Sequence, residues 1–338
     1  MGANSAPSTR IWRGVAPLVG FAALSAAADV YLGAELQAHS PFGFAALAFS
    51  LTAAFFLALT VLRAGPRAVL RPLLANGADV LAINVSTAVG WLTMLEALRL
   101  LEPAVVNVAV LAAGPPAMVL LGPLMRRGTR ASAGEVRASV GILGCLLVLF
   151  WGALAGRGGL GHAPAGQVLA GIALTLVSGV FSTVNVLCSK RLSEAGHGPQ
   201  VVLSVRFFLL IAVALAVART ESAPDPGALL LPATPFAALG VALPLYLIQA
   251  GVRHTEPVTA SLLCTLSPLF TFVLQLPDHR LTPSPLTLAC ICVITALVGV
   301  GLLRRPRPTG PPTVPAPAVP APVPGHDDRQ ATSQGDPL

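Results

Sequence analysis

The chain has 338 residues, of which 54% are hydrophobic and only 10% are Asp, Glu, Lys or Arg. A typical soluble domain carries about 25% charged residues, so this composition cannot form a surface that faces water on every side. The net charge of +7 does not indicate nucleic-acid binding, because the basic residues lie in short clusters between apolar stretches. The composition predicts an integral membrane protein that has the lipid bilayer as its partner and binds no nucleic acid.

Ten apolar windows follow one another along the chain, each close to the roughly 20 residues that a helix needs to cross a bilayer. Short connections, often marked by Pro or Gly, separate the windows and leave no room for a soluble domain. The sequence predicts an all-α integral membrane fold with ten transmembrane helices, here called spans 1 to 10, at 15–33, 43–62, 78–98, 103–125, 136–155, 166–188, 200–218, 235–252, 257–276 and 284–303.

The distribution of basic residues predicts the orientation of these spans. If the N-terminus is cytoplasmic, 16 of the 21 Lys and Arg residues fall on the inner side, four fall on the outer side, and Arg206 lies inside span 7. Basic residues favour the cytoplasmic loops of membrane proteins. We therefore expect both termini to be cytoplasmic, in a multi-pass protein of the cytoplasmic membrane. Residues 1–14 would form a cytoplasmic N-terminal segment, and the Pro-rich residues 304–338 a disordered cytoplasmic tail.

The two halves of the chain echo each other. Residues 97–103 (ALRLLEP) recur 154 residues later as residues 251–257 (GVRHTEP), and Asp29 in span 1 is echoed 156 residues later by Asn185 in span 6. The alternative is chance similarity between Ala-, Leu- and Val-rich segments. Because five spans per copy is an odd number, a second copy would enter the membrane inverted, as in many secondary transporters. We predict two inverted five-helix repeats, at 15–155 and 156–303.

Proline interrupts two equivalent spans. Pro115 and Pro116 lie in span 4, and Pro268 lies in span 9. Proline removes a backbone donor and frees carbonyl groups, which at membrane depth must face a cavity or a polar neighbour. We therefore predict helix breaks at these prolines, and expect Asn107 and its repeat mate Ser261 to line the same cavity. The alternative is a pair of kinks without function.

Few ionisable residues lie inside the spans, and each one is a candidate functional residue because charge in hydrocarbon is costly. Asp29 is the most deeply placed acid, and with Asn185 it could hold a solute or a proton; a structural hydrogen bond is the alternative. Arg206 could bind a substrate carboxylate, pair with Asp29 or Glu96, or extend its guanidinium to the inner interface.

Four further residues of spans 3 and 8 complete the predicted substrate and proton site or its surroundings. Glu96 is a candidate acid, although it lies three residues before Arg99, where a local ion pair is favoured. Trp91, Tyr246 and Gln249 could form amphipathic walls of the cavity, or simply pack in the core.

Several of these segments resemble one known family. The segments ALRLLEPAVVNVAVLAAGPP and GVRHTEPVTASLLCTLSPLF, the Gly-containing helices that follow them, and the Arg-bearing GPQVVLSVRFFLLIAVAL are similar to the EamA-like ten-helix permeases of the drug/metabolite transporter superfamily. The resemblance covers about residues 12–305. It implies a secondary active transporter that exports a small polar or amphipathic metabolite by proton exchange.

Other functional classes have less support. The sequence contains no phosphate-binding GxxxxGK[ST] loop and no HExxH or GxSxG motif, and its histidines lie in loops or the tail. We expect no cofactor, no metal and no enzyme activity, and we allow for a homodimer. A membrane-embedded enzyme that acts on a lipid-soluble substrate and a non-transporting membrane scaffold remain the alternatives.

Overall fold

The computed structural model describes residues 7–125, 133–161, 163–221, 226–252, 255 and 257–303, which all belong to one compact unit. Residues 1–6 of the predicted N-terminal segment and the predicted tail at 304–338 lie outside the described residues, as do the side chains of Gln249 and Ser261. Every regular element in the described ranges is helical: α1 (Pro7–Glu35), α2 (Pro41–Ala64), α3 (Pro66–Ala75), α4 (Gly77–Leu100), α5 (Pro103–Met125), α6 (Ala133–Leu154), α7 (Ala165–Glu194), α8 (Pro199–Val205), α9 (Phe208–Ala218), α10 (Pro226–Pro235), a π-helical segment (Phe236–Ala242), α11 (Leu243–Val252), α12 (Pro257–Cys264), α13 (Ser267–Leu274) and α14 (Pro285–Leu303).

Eight segments of the described chain are helical, long and apolar enough to cross a membrane. They correspond to spans 1 to 8. The regions of spans 9 and 10 contain shorter apolar helices, at Leu262–Leu274 and Pro285–Val300. The all-helical membrane fold is therefore as expected, while the number of ten membrane crossings and the orientation of the termini stay predictions.

A short helix, α3, stands between spans 2 and 3, where we had expected only a connection. Gly65 ends α2 with φ +78°, a left-handed conformation that a side chain would disfavour. Pro66 then occupies the first turn of α3, where its missing N–H costs nothing. At 10 residues, α3 is about 15 Å long, or half the hydrocarbon thickness, so it cannot cross the bilayer.

Three spans of the second half are interrupted. Span 7 is divided into α8 and α9 at Arg206 and Phe207, and span 9 into α12 and α13 at Thr265 and Leu266. The second break places Pro268 in the first turn of α13, as we expected. The region of span 8 passes through the π-helical segment, a form often found at functional sites.

The predicted break at Pro115 and Pro116 is wrong, because α5 runs through both prolines as a continuous helix. The preceding turn packs closely against α7. A Cβ added to Gly179 would come within 2.5 Å of the Ala113 Cβ and 3.0 Å of the Val110 carbonyl oxygen. This close contact supports α5 where the prolines weaken its own hydrogen bonding.

The packing of the helices follows an exchange between the two halves. α4 packs on α7 (spans 3 and 6) as α1 packs on α11 (spans 1 and 8), and α5 packs on α7 as α1 packs on α12 and α13. Contacts between α2 and α9, α5 and α13, and α6 and α14 join equivalent spans of the two halves. Two copies of one five-helix unit would produce this pattern, which is why we keep the inverted repeat as the working prediction.

Candidate functional site

The first polar group, the Asp29 cluster, joins Asp29, Asn107 and Ser267 from α1, α5 and α13. Asp29 is only 6% exposed. The Asn107 amide donates to an Asp29 carboxyl oxygen and also reaches the Ser267 Oγ at 3.3 Å. Asn107 thus joins a buried acid of α1 to the start of α13, and its amide is the one hydrogen-bond partner that the described residues give the Asp29 side chain. The structure thus brings Asn107 to Ser267, the residue before Pro268.

The second polar group lies at the break of span 7. Asn84 of α4 donates to the Val205 carbonyl at 2.8 Å and accepts the Leu209 N–H at 3.2 Å. These two bonds satisfy backbone groups on either side of the break, which have no water to bind inside a bilayer. Asn84 therefore stabilises the helix break at which Arg206 lies.

Arg206 binds neutral side chains of α4 and α7, in a set we call the Arg206 cluster: Arg206, Asn185, Thr87 and Ser86. Its Nη2 donates to the Asn185 Oδ1 at 2.8 Å and its Nε lies 3.3 Å from the Thr87 Oγ1. The Asn185 amide donates in turn to Thr87 at 2.7 Å and to Ser86 at 3.3 Å. Asn185 thus orients the guanidinium, and does not join its repeat mate Asp29 in a shared group.

The two clusters have opposite charge and no counter-charge. Within the described part of the chain, no hydrogen bond or ion pair links Arg206 to Asp29, and neither residue has an oppositely charged partner within 4.0 Å. A charge in the hydrocarbon region normally pairs with another charge or serves a transport path. The Arg206 cluster is therefore suited to an anionic group, and the Asp29 cluster to a proton or another cation.

A cavity of about 1100 Å³ lies between α2, α8 and the region from α10 to α11. Its walls are mostly apolar, and Thr52, Arg63, Gln200, Thr234 and Tyr246 supply polar groups. A space of this size and character accepts a small amphipathic molecule. Of the predicted wall residues, Tyr246 lines this cavity, whereas Trp91 packs edge-on against Phe49 with ring centroids 5.0 Å apart.

Glu96 has a local partner. Its carboxylate lies 3.6 Å from the Arg99 guanidinium, one turn along α4 and partly exposed, as an ordinary i,i+3 ion pair. Neither hydrogen bonds nor ion pairs connect Glu96 to the two polar clusters among the described residues. The structure thus separates Glu96 from Asp29 and Arg206, with which we had grouped it.

Four polar residues of the two clusters and of the span 7 break were missed from the sequence: Ser86, Thr87, Asn84 and Ser267. A signal was present for the first three, because they lie within four residues of one another in an otherwise apolar span. Ser267 stands beside the proline that we singled out. Polar residues that share a short stretch of a membrane helix would have been the feature to follow.

A further buried acid lies outside the spans, in the segment ALRLLEP that the second half echoes. Glu102, between α4 and α5, is 2% exposed and accepts the Gly159 N–H at 2.8 Å and the Gln275 amide. Gln275 accepts the Ala104 N–H at 3.0 Å, and Thr282 donates to the Gly159 carbonyl at 2.8 Å. Burial raises the pKa of Glu102. This hydrogen-bonded network joins the connections α4–α5, α6–α7 and α13–α14.

Comparison with known proteins agrees with this fold. Residues 169–305 match the EamA-like transporter family, which confirms the resemblance for the part of the chain that begins in α7. A solved structure titled "Crystal structure of protein" superposes with a TM-score of 0.56 at 20% identity, over 86% of this chain and 98% of that chain. At this identity the likeness concerns the fold alone. No curated protein sequence matches the chain.

Proposed function

We propose that this multi-pass membrane protein, whose residues 169–305 match the EamA-like transporter family, is a secondary active transporter that exports a small amphipathic or polar metabolite across the cytoplasmic membrane in exchange for protons. The observation that carries the proposal is Arg206. This cation lies at the break of a membrane helix and binds only neutral side chains among the described residues. Discontinuous helices form the substrate sites of many secondary transporters.

Arg206 supplies the substrate-binding group. Its guanidinium is oriented by Asn185 and Thr87, and a planar, permanently charged group of this kind binds carboxylate or phosphate oxygens well. Arg206 is not among the residues that line the apolar cavity between α2, α8 and α11, but Leu203, three residues earlier, is, and we place the body of an amphipathic substrate in that cavity. We therefore expect a substrate with one anionic group and an apolar or weakly polar body.

Asp29 supplies the proton-binding group. Its partner Asn107 is neutral, as is Ser267, which Asn107 also contacts, so the uptake or release of a proton changes the net charge of the cluster. A change of charge inside the bilayer alters the relative energies of two conformations, which is what coupling requires. Ser267 and Pro268 begin the short helix α13, so Asn107 links the acid to the break in span 9.

A vesicle experiment tests the proposal. The full chain is reconstituted into vesicles that contain a pH-sensitive dye, and carboxylates, phosphorylated metabolites, zwitterions and amines are added one at a time. We expect at least one anionic or zwitterionic solute to cross the membrane and to drive protons in the opposite direction. Vesicles without protein are the control.

Two results would contradict the proposal in different ways. Solute movement that leaves the internal pH unchanged would remove proton exchange and retain transport. A chemical product formed from a lipid-soluble compound, without movement of any solute, would instead favour an enzyme. The vesicle assay with analysis of both compartments separates these outcomes.

A further inference from the structure

The short helix α3 has a buried face and an exposed face of different character. Val69 and Pro72 are buried, and Val69 joins a small core with Val80, Ile83 and Leu192. Contacts with α2, α4 and α8 fix α3 against the bundle. The helix is therefore a built part of the fold, and its exposed side is held in a defined direction.

The exposed side of α3 is rich in leucine. Leu70, Leu73 and Leu74 are exposed by 52%, 38% and 85%. Three such leucines within 10 residues would form an unfavourable surface in water. In a membrane protein this side is expected to lie against acyl chains, with α3 parallel to the surface because it is too short to cross.

Arginines lie next to these leucines. At 100° per residue, Arg67 and Arg71 share one side of α3 adjacent to Leu70 and Leu74. Arg63 lies in the last turn of α2, just before α3 begins. All three arginines are exposed, and no described acid lies within ion-pair distance of any of them.

The surrounding sequence offers no counter-charge. No Asp or Glu occurs between residues 36 and 78, and the next acid, Asp79, is bound by Arg191 at 3.0 Å. Three cations beside an exposed apolar stripe match the chemistry of one ligand class, an anionic lipid with a phosphate head and apolar tails. The predicted orientation also places this segment on the cytoplasmic side of the membrane.

We propose that α3 and the last turn of α2 bind an anionic phospholipid, with the phosphate group on Arg63, Arg67 and Arg71 and the acyl chains over the exposed leucines. Arg63 also lines the 1100 Å³ cavity, so the bound headgroup would lie beside it. The proposal depends on the α3 surface and not on the transported solute. It can therefore hold even if the transport proposal fails.

Native mass spectrometry of the full chain tests this site. The detergent-solubilised protein is titrated with dioleoyl-phosphatidylglycerol, which is anionic, and separately with dioleoyl-phosphatidylcholine, which carries no net charge. We expect saturable binding of the anionic lipid. The triple variant R63Q/R67Q/R71Q should bind it roughly 100-fold more weakly, since each basic residue near a membrane surface contributes roughly a fivefold change in affinity.

Two variants control for charge and folding. R99Q/R157Q/R219Q removes the same charge from exposed arginines elsewhere and should bind the lipid as the wild type does. R63K/R67K/R71K keeps the charge and should retain most of the binding. Inorganic phosphate at the same concentration should not displace the lipid, because it cannot cover the leucines.

Three outcomes would overturn the proposal. Equal loss of lipid in the two Gln triple variants would mean a general effect of charge. Displacement by inorganic phosphate would mean an anion site without a lipid. A dimer that persists in the wild type and separates on L70Q/L74Q substitution, without lipid loss, would mean that a second copy of the chain covers this face.

Discussion

The Asp29 cluster and the Arg206 cluster are built from the same kinds of parts and differ in their charge. Each has one ionisable side chain and one neutral amide, with one hydroxyl group in the Asp29 cluster and two in the Arg206 cluster. The sequence predicts that Asp29 and Asn185 are repeat mates, yet Asn185 binds Arg206. Similarity between two halves of a chain thus specifies where helices pack, whereas the local partners decide what a polar residue does.

The comparison also shows why the two groups suit different ligands. A guanidinium stays charged at any physiological pH, so Arg206 can change its electrostatic state only by acquiring an anion. A carboxyl group can change it by binding a proton. An Arg206–Asp29 ion pair would neutralise both charges. With substrate binding and proton binding in two separate clusters, each group can bind its own ligand.

The largest effect is expected from the removal of the Arg206 charge. R206Q should lower the affinity for the transported anion by about 100-fold or more, because the loss of one partner of a buried charge pair costs about 3–5 kcal/mol. R206K should recover part of the affinity. Solute binding to the purified protein by calorimetry measures the change. R219Q, which changes an exposed arginine at the end of the same span, is the matched control and should bind normally. Equal affinity in R206Q and R219Q would mean that Arg206 does not bind the transported anion.

Removal of the Asp29 charge should affect coupling more than binding. D29N keeps the shape of the side chain and a partner for Asn107, so we expect a folded protein that binds solute within a few-fold of the wild type and does not exchange it for protons. Vesicle assays between pH 5.5 and about 8.5 should show uptake that no longer depends on pH. E96Q is the control, because Glu96 pairs with Arg99 and not with the clusters. If D29N transports as the wild type does at every pH, Asp29 has no proton role.

A smaller effect should follow from the loss of the hydroxyl that positions Arg206. T87V removes the oxygen that Asn185 and Arg206 both contact, with little change in volume. We expect roughly a tenfold loss of solute affinity, in line with about 1–1.5 kcal/mol for one hydrogen bond, and no change in the pH dependence of transport. Thr183→Val is the control in α7, since among the described residues the Thr183 hydroxyl bonds to the carbonyl of Gly179 and to neither cluster. A change of similar size in both variants would indicate a general packing effect.

Hydropathy predicted the helical membrane fold well, because the need to bury backbone groups in a bilayer acts on each span by itself. The break at Pro268 was predictable for the same reason: proline acts within its own turn. Asp29 and Asn107 could be chosen as candidates because polar groups are rare at membrane depth. Their direct contact follows from the packing of α1 on α5, which no local pattern specifies.

The features that were missed depend on contacts between distant residues. The break at Arg206 contains no proline, and Asn84, more than 100 residues away in sequence, satisfies its backbone groups. Conversely, α5 stays continuous at Pro115 and Pro116, where its preceding turn is packed on Gly179 of α7. The helix α3 escaped because a window of about 20 residues averages a 10-residue element with its neighbours.

Glu102 lies outside the spans and can be compared with Asp29, because it too is a buried acid with neutral partners. Burial raises its pKa above the ordinary 4.5, so the folded state favours the protonated form. Its contribution to stability is present below pH 4.5 and is lost as the pH rises through the raised pKa. In E102Q that group no longer titrates. Between the two ends of this pH window, the melting temperature of E102Q should therefore fall by roughly a few °C less than that of the wild type, while transport is unchanged.

E102A should instead lower the melting temperature at every pH, because the Gly159 N–H and the Gln275 amide lose their acceptor. Thermal unfolding in detergent between pH 4 and about 8 measures both effects. If E102Q abolished proton exchange while D29N retained it, the proton-binding acid would be Glu102, because burial among neutral partners would then matter more than depth in the membrane.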